Sequence, residues 1–293
     1  MPKTIVLTGV SGGLGRATAV AALDAGHTVI GTVRHPEQVE PFAALAPGRA
    51  HARVLDVTDI ASIPAAAADV ESIAGPVDVL INNAGYGVEG VFEETPLDVV
   101  RRQFEVNVFG TIEVTRAFLP AMRERRAGHI VFITSMGGLR AFPGLSAYHA
   151  SKYALEGLAD TLRLELAPLG IAVTSIEPGS FRTEWSGQSM VRVERTITDY
   201  DAVFGPIREQ RNQARGSQPG DPAKAGKAIV TIIDAPQPPG HLLLGVDAQQ
   251  LVGEARRATD AEFDAWAPLG SDTQYDVEEG RGQQESSAAV SAD

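Results

Sequence analysis

Two residues four positions apart, Tyr148 and Lys152, are the pair in this chain best suited to acid–base chemistry. In a helix, residues four apart share one face, so the two side chains point in the same direction. The pKa of an isolated tyrosine is about 10, and a nearby ammonium group favours the phenolate and lowers that pKa. We therefore expect Lys152 to lower the pKa of Tyr148. Ser135, thirteen residues before Tyr148, adds a hydroxyl that can donate a hydrogen bond.

A glycine-rich segment near the N-terminus, from Thr8 to Gly15, has the sequence Thr-Gly-Val-Ser-Gly-Gly-Leu-Gly. It follows a β-rich run and precedes a helical stretch, where glycines permit a tight turn and the close approach of a phosphate. The N-terminus of the helix would then face the anion with unpaired N–H groups and its positive dipole end. An ordinary strand-to-helix turn can also contain glycines, but the position of this segment after the first strand favours a nucleotide site.

The end of the second predicted strand bears on which dinucleotide binds. An NAD site usually has Asp or Glu about 20 residues beyond the glycines, where it binds the ribose 2′-hydroxyl. Here Thr32-Val33-Arg34 occupies that place without an acid. Arginine can instead bind the 2′-phosphate of NADP, so the sequence favours NADP(H) over NAD(H). In the alternative interpretation, Arg34 is a solvated strand end and Glu37 helps to bind a hydroxyl.

These motifs are joined by Asn82-Asn83-Ala84-Gly85 and by Asn107, and all of them occur in the order and spacing of a known family. Over residues 4–183 the chain resembles the short-chain dehydrogenase/reductase family. Two stretches, residues 29–37 and 86–94, are similar to NADP-linked members near the 17β-hydroxysteroid dehydrogenases.

The resemblance implies a path for the cofactor along the chain. Asp56 would hold the adenine, and the Pro178-Gly179 turn and Thr183 would lie near the nicotinamide. The complete set of cofactor-binding residues that we predict is Thr8, Gly9, Ser11, Gly12, Gly13, Leu14, Gly15, Arg34, Asp56, Val57, Asn83, Ala84, Gly85, Tyr148, Lys152, Pro178, Gly179 and Thr183.

Four residues form the predicted catalytic set. Tyr148 would be the general acid that protonates a carbonyl oxygen as hydride reaches the carbon, or the base in reverse. Ser135 would donate a hydrogen bond to the same oxygen. The resemblance implies that Lys152 binds the nicotinamide ribose and that Asn107 kinks its helix and holds a water linking Lys152 to solvent. Taken singly these could be a packed tyrosine, a surface serine, a solvated lysine and a capping asparagine, but their joint spacing favours catalysis.

Short β-rich runs alternate with helix-like stretches over the first 180 residues, which is typical of a parallel sheet covered by helices on both faces. We therefore predict an α/β fold, a Rossmann-type doubly wound parallel sheet of about seven strands, in a single domain over residues 1–270. The predicted strands are Thr4–Thr8, His27–Val33, Ala50–Leu55, Val77–Asn82, Gly128–Ser135, Ile171–Glu177 and His241–Val246, and the predicted helices are Gly15–Ala25, Ile60–Ala74, Leu97–Leu119, Ala147–Leu166, Pro222–Ile233 and Ala248–Ala258.

Two later segments depart from this alternation. Residues 180–218 mix aromatic side chains and arginines without a clear period, and loops at the carboxyl ends of strands carry specificity in such folds. We predict a small helical substrate lid there, suited to a mid-sized apolar carbonyl compound; the alternative is a flap that packs its own apolar side chains. Residues 271–293 have little to bury and predict a disordered acidic tail.

Composition excludes several classes of partner. The net charge of −12 argues against a nucleic-acid partner. The chain has no cysteine and its six histidines show no ligand spacing, so no metal site is predicted, and neither His129 nor His149 is expected to be catalytic. Without a signal peptide or a long apolar run, we expect a cytoplasmic protein with no membrane partner. Apolar faces on 97–119 and 147–166 predict a homodimer or homotetramer, unless those faces only cover the sheet.

The sequence therefore predicts an NADP(H)-dependent oxidoreductase that interconverts a ketone or aldehyde with its alcohol by hydride transfer. Its partner would be a small carbonyl or alcohol substrate. Two alternatives are an NAD-dependent secondary alcohol dehydrogenase and a non-catalytic nucleotide-sensing protein on the same fold. Such sensors typically lose the tyrosine or the lysine, and this chain keeps both.

Overall fold

Parallel strands rich in β-branched residues form the centre of the computed structural model, which describes residues 1–187 and 189–275. The strands are β1 Thr4–Leu7, β2 Thr28–Val33, β3 Ala50–Val54, β4 Val79–Asn82, β5 Gly87–Glu89, β6 Gly128–Ile133, β7 Ile171–Pro178, β8 Met190–Arg192 and β9 His241–Leu244. Seven of them form one sheet in the spatial order β3-β2-β1-β4-β6-β7-β9. The strand order reverses between β1 and β4, which makes their carboxyl ends a switch point where ligands bind in such sheets. The predicted seven-stranded, doubly wound sheet is confirmed.

Helices connect the strands and cover both faces of the sheet. They are α1 Gly13–Asp24, α2 Val39–Ala43, α3 Ile63–Ala74, α4 Leu97–Phe104, α5 Gly110–Arg125, α6 Ser146–Leu166, α7 Asp201–Gln213, α8 Pro222–Asp234 and α9 Val246–Ser271. Two clusters of buried apolar side chains pack on opposite faces of the sheet, because successive strand residues point to opposite sides. One contains Ile5 and Leu7 and the other contains Val6, all at most 1% exposed.

The continuous helix predicted over Leu97–Leu119 is wrong. The chain forms α4 and α5 with a π-helical turn, Glu105–Phe109, between them. Such turns insert one extra residue and are frequent at functional sites. Asn107 lies in this turn. Its side chain forms hydrogen bonds with the backbone of another segment, and the regular helix is interrupted there.

Other boundaries differ from the sequence prediction at the C-terminal end. The helix predicted over Ala248–Ala258 is α9, which continues to Ser271, and three alanines in the added part, Ala261, Ala265 and Ala267, favour helix. Residues Met1–Val252 form one compact unit, and the described residues from Gly253 to Tyr275 belong to a second. The domain boundary near 270 stays a prediction, and most of the tail predicted to be disordered lies outside the described residues.

A second, two-stranded sheet escaped sequence analysis. Strands β5 and β8 pair in parallel, with Gly87 opposite Met190 and Glu89 opposite Arg192. Each has three residues, too short for a period-2 pattern to be recognised. The pairing joins the predicted lid, residues 180–218, to the segment that follows β4.

Within the described residues, no helix is both long enough and apolar enough to cross a membrane.

Burial of His129 predicts a loss of stability in acid. On β6 this ring is 6% exposed, and its Nε2 lies 2.9 Å from Thr174 Oγ1. Burial, and then the charge of Lys3, lowers its pKa from 6.5 to about 4. The folded state therefore excludes a proton that the unfolded state binds, so stability is complete above pH 6.5 and falls as the pH drops toward 4, by up to about 3 kcal/mol.

We expect His129→Gln, whose amide can replace the bond to Thr174, to flatten this loss. Chemical denaturation at several pH values between 7 and 4.5 measures it as the slope of unfolding free energy against pH. His35→Gln, at an exposed position, is the matched control. Equal slopes for wild type and His129→Gln would contradict the prediction.

Candidate functional site

The predicted site residues follow the carboxyl ends of four adjacent strands. Thr8–Gly15 follows β1, Asn83–Gly85 follows β4, Ser135 follows β6 and Gly179 follows β7. Because the sheet is parallel, all four loops emerge at one edge. The fold thus brings together segments that lie far apart in the sequence.

Thr8 and Asn83 join the glycine-rich loop to the end of β4. Thr8 Oγ1 accepts hydrogen bonds from the backbone N–H groups of Asn83 at 2.9 Å and Ala84 at 3.0 Å. Asn83 Nδ2 in turn donates to the carbonyl oxygens of Thr8 at 2.8 Å and Gly9 at 3.0 Å. These four bonds fix the path of the loop independently of any ligand.

The glycine-rich loop has the features of a phosphate site. Gly9 and Gly13 have φ values of +74° and +56°, which favour glycine. A Cβ on Gly15 would overlap the Gly9 carbonyl oxygen, whereas a Cβ on Gly12 would meet nothing within 4 Å. Helix α1 begins at Gly13 with no side chain capping its first N–H groups. Open space before an uncapped helix N-terminus fits the pyrophosphate of a dinucleotide.

The other predicted loop residues are placed differently from one another. Ser11 is exposed, and Leu14 packs against the apolar core. Ala84 is half-buried, and Gly85 lies against Asn107, whose Oδ1 would be 3.1 Å from a Cβ there.

A charged group lies at the ends of β2 and β3, where the adenosine is expected. Asp56 Oδ1 accepts hydrogen bonds from the Thr58 backbone N–H at 2.9 Å and the Thr58 hydroxyl at 2.7 Å. Burial raises the pKa of Asp56, but the bonds from Thr58 and the charges of Arg102 and Arg34 outweigh it and lower the pKa. Val57 is buried beside this group. Arg102, on α4, was not predicted, because its distance along the chain gave no sign that it approaches Asp56.

The segment after β7 faces the glycine-rich loop. Pro178 ends β7, and the Gly179 N–H donates to the Leu244 carbonyl at 2.8 Å. A Cβ on Gly13 would lie 3.7 Å from Thr183. Thr183 therefore lies across the predicted cofactor path from the first turn of α1.

Tyr148 and Lys152 are both buried on the inner face of α6, at 6% exposure each. Lys152 Nζ donates to the carbonyl of Ile133, the last residue of β6, at 2.8 Å. The same Nζ lies 5.9 Å from the centre of the Tyr148 ring. The prediction that the two side chains share one direction agrees with this placement.

The direction of the pKa shift predicted for Tyr148 is wrong. Burial raises the pKa of Tyr148 to about 12, and a hydrogen bond with Ser135 offsets this only in part. Burial also lowers the pKa of Lys152 to about 8, although the charge of Glu156 acts to raise it. Desolvation disfavours the charged form of both groups, and it outweighs the attraction on which the sequence prediction relied.

Ser135 and His149 shape the loop that faces Tyr148. Ser135 Oγ accepts from the Gly137 N–H at 2.9 Å and caps the short turn that follows. His149 is buried, with Nδ1 2.7 Å from the Gly137 carbonyl and Nε2 accepting from the Phe142 N–H at 2.9 Å. His149 thus holds the loop that carries Ser135, a structural function that its position next to Tyr148 did not suggest.

Asn107 joins three segments through its amide. Oδ1 accepts from the Tyr86 N–H at 3.0 Å, and Nδ2 donates to the Tyr86 carbonyl at 3.0 Å and to Ser151 Oγ at 3.1 Å. Ser151 in turn donates to the Tyr148 carbonyl at 2.7 Å. The kink predicted at Asn107 takes the form of the π-helical turn, and the water relay stays a prediction.

Trp185 is a lid residue whose ring lies beside the ring of Tyr148. Its ring centre is 5.1 Å from that of Tyr148, at an interplanar angle of 57°. Phe204, by contrast, is 3% exposed and packs on Gly144 and under Arg195. Of these two aromatic residues, Trp185 therefore borders the site, whereas Phe204 is buried between the lid and the loop before α6.

Ion pairs hold the lid on the β5 segment. Buried Glu89 pairs with Arg192 at 3.2 Å and Arg211 at 3.1 Å. Glu94 pairs with Arg195 at 2.7 Å. Sequence analysis had identified the lid arginines but not these acids as their partners.

A cluster of Glu156, Glu177 and His241 lies one helical turn beyond Lys152. The three residues come from α6, β7 and β9, so ligand spacing along the chain could not reveal them. The absence of a metal site stays a prediction.

Comparison with known proteins gives matches over most of the chain. A family model described as short chain dehydrogenase matches residues 3–192. An oxidoreductase, BOA17, from Botryotinia fuckeliana is 37% identical over 92% of this chain and 98% of its own length. An NADPH-dependent 3-dehydrocapnine reductase from Ornithobacterium rhinotracheale is 34% identical over 69% of this chain and 74% of its own.

One solved structure is similar over nearly the whole chain. The crystal structure of a short-chain dehydrogenase from Streptomyces avermitilis superposes with a TM-score of 0.87 and 44% sequence identity. The match covers 94% of this chain and all of the other.

We expect an added methyl group to have different effects on stability at the two glycines at the start of α1. Gly15→Ala places its Cβ against the Gly9 carbonyl and the Asn83 amide, whereas Gly12→Ala, at a φ of −166°, enters open space. We expect Gly15→Ala to lower the melting temperature by several degrees, in line with about 1–3 kcal/mol for overpacking. Gly12→Ala should leave it within about one degree. Differential scanning calorimetry without added ligand tests this, and equal melting temperatures for the two variants would refute it.

Proposed function

The chain belongs to the short-chain dehydrogenase/reductase family, and on that basis we propose that it is an NADP(H)-dependent reductase of ketones or aldehydes. Family membership supports the coarser statement that the protein is an oxidoreductase that acts on CH–OH groups and uses a nicotinamide dinucleotide. The single observation that supports the finer proposal is the buried Tyr148 phenol, with Lys152 and Ser135 beside it at the edge of the sheet.

Four residues divide the proposed chemistry. The bound dinucleotide supplies hydride to the carbonyl carbon or accepts it in reverse. Tyr148 donates its phenolic proton to the carbonyl oxygen, and Ser135 donates a hydrogen bond to the same oxygen as negative charge develops there. Lys152 places an ammonium group beside Tyr148 and would bind the ribose of the dinucleotide. Asn107 holds Tyr86 and the Ser151 turn of α6, and so keeps Tyr148 in place.

The protonated phenol of Tyr148 is the form that acts as the acid in carbonyl reduction. A phenol with a pKa raised to about 12 by burial is fully protonated at neutral pH and ready to act as an acid. The reverse reaction would need the phenolate. An NAD-dependent alcohol dehydrogenase remains the alternative within the family.

The proposed preference for NADP(H) rests on Arg34 and on the absence of an acid at the end of β2. Arg34 is exposed at that strand end and acts on the charge of Asp56 together with Arg102. Two arginines near one adenosine pocket suit a 2′-phosphate, which carries negative charge that a 2′-hydroxyl lacks. The similarity to the NADPH-dependent reductase of Ornithobacterium rhinotracheale supports the same choice.

The substrate is proposed to be a mid-sized, apolar carbonyl compound. Trp185 offers apolar surface next to Tyr148, and the lid is tied down by Glu89 and Glu94. A homodimer or homotetramer in the cytoplasm remains our prediction.

Loss of the phenolic proton should abolish most activity. We expect Tyr148→Phe to lower kcat at least about a hundredfold, in line with general-acid contributions of about 10²–10⁴. The assay is NADPH oxidation with a panel of aldehydes, aromatic ketones, β-keto esters and steroid ketones. Tyr153→Phe, an exposed tyrosine on the same helix, is the matched control. Near-wild-type turnover in Tyr148→Phe would refute the role of Tyr148, and loss in both variants would show that the change disturbs the helix.

Removal of the Arg34 charge should weaken one cofactor more than the other. We expect Arg34→Ala to raise KM for NADPH about tenfold or more, since one charged hydrogen bond contributes about 1.5–3 kcal/mol, and to change KM for NADH little. Arg123→Ala, in an exposed arginine at the end of α5, controls for net charge. Higher catalytic efficiency of the wild type with NADH than with NADPH would contradict the proposed preference.

A further inference from the structure

A buried polar cluster lies directly behind the proposed acid–base pair. Glu156 on α6, Glu177 on β7 and His241 on β9 bring one polar atom each within 4.8 Å of the others. Glu156 is 5% exposed and Glu177 is fully buried, whereas the His241 side chain is 38% exposed. The histidine therefore connects the two buried acids with the surface.

The charged contacts of this cluster lie mainly on its outer side, around His241. His241 Nδ1 lies 2.7 Å from Glu177 Oε1 and 3.9 Å from Glu156 Oε2, and its Nε2 lies 3.2 Å from Asp160 Oδ1. Arg163 Nη1 approaches the same Nε2 at 3.3 Å. The outer part of the cluster is thus well supplied with charged partners.

The carboxylate oxygens on the inner side of the cluster have fewer partners. Among the described residues, neither oxygen of Glu156 nor Oε2 of Glu177 has a hydrogen bond of normal geometry. The hydroxyls of Thr134 and Ser175 lie close enough to Glu156 to favour its charged form, but burial outweighs them and raises its pKa. Burial and the charge of Glu156 also raise the pKa of Glu177, to about 7. A buried carboxylate in this position needs a proton or a nearby cation.

Lys152 is the cation on the same face of α6, four residues before Glu156. The turn between them is closed by the loop after β6, because a Cβ on Gly138 would lie 3.0 Å from the Lys152 carbonyl and 2.9 Å from Glu156 Cγ. Lys152 Nζ donates to the Ile133 carbonyl, and a single neutral acceptor compensates little for a desolvated charge. Glu156 acts in the opposite sense to burial and favours the ammonium form.

We propose that Glu156 is a positioning residue that keeps Lys152 in its ammonium form, and that it does so as part of the buried cluster with Glu177 and His241. This inference rests on the proposed function, in which Lys152 acts as a cation beside Tyr148. Glu156 faces Lys152 and Asp160 on its own helix, Glu177 on β7 and His241 on β9. Burial raises the pKa of Glu156 and that of Glu177, so the negative charge behind Lys152 grows as the pH rises.

The chain offers a direct measurement of the Lys152 charge, since it contains four lysines, Lys3, Lys152, Lys224 and Lys227. With lysine labelled by ¹³C at Cε, an NMR titration of the full chain without added ligand gives one curve per lysine. Lys152→Arg identifies the signal of Lys152. This readout does not depend on turnover.

We expect Glu156→Gln to lower the pKa of Lys152 by about one unit, because an opposite charge in its surroundings is lost. Glu156→Asp, which keeps the charge, should restore most of that shift. Glu165→Gln, an exposed change on the same helix, should leave the pKa of Lys152 unchanged. In the assay with NADPH and a carbonyl substrate, we plot log kcat against pH. The alkaline limb of this curve should move to lower pH in Glu156→Gln, by the same number of pH units as the pKa of Lys152.

Two results would overturn the inference. One is a Lys152 pKa in Glu156→Gln equal to that of the wild type. The other is a Lys152 pKa that falls on addition of ZnCl2 in the wild type but not in Glu156→Gln, since the cluster would then hold a cation in place of a proton. If no carbonyl compound is turned over while the NMR shift occurs, the proposed reaction fails and the coupling between Glu156 and Lys152 stands.

Discussion

A buried ammonium group organises this site. Lys152 Nζ is removed from water and donates to the carbonyl that ends β6, and an uncompensated buried charge is costly. That one bond fixes α6 against β6, so that Ser135, two residues beyond Ile133, comes to face Tyr148, one turn before Lys152. The next turn of α6 supplies Glu156. The predicted acid, the predicted hydrogen-bond donor and the proposed counter-charge therefore all take their places from the docking of one helix on one strand end.

The same helix is held from its other side by amide and hydroxyl groups that bond backbone. Asn107 bonds both backbone groups of Tyr86 and reaches Ser151, which bonds the Tyr148 carbonyl. A π-helical turn is what points this amide out of the α4–α5 helix pair, and the irregular backbone is offset by those bonds. Thr8 and Asn83 act in the same way at the cofactor edge. The frame of the site thus consists mainly of side chains that satisfy backbone groups, which makes it rigid before any ligand binds.

The sequence was sufficient for the parts of the molecule whose residues carry a local signal. The turn between a strand and a helix was predictable from its glycines, and the shared direction of a tyrosine and a lysine followed from their spacing of one helical turn. The strand positions followed from runs of β-branched residues. It was insufficient where energy depends on distant partners. The pairing of β5 with β8, the approach of Arg102 to Asp56, and the cluster at Glu177 each join residues without sequence spacing. The pKa of Tyr148 was missed because desolvation depends on tertiary burial, which the spacing of Tyr148 and Lys152 does not show.

The lid is held by a different kind of interaction from the frame, and this difference has a functional consequence. Three-residue strands and the pairs from Glu89 to Arg192 and Arg211 attach it to the segment after β4. Apolar packing adds to this attachment, because Phe204 of the lid is 3% exposed and lies against Gly144 outside the lid. Trp185, which the lid carries, lies beside the Tyr148 ring. Under the proposed function, the frame would set the proton transfer, and the lid would set which carbonyl compound reaches Tyr148.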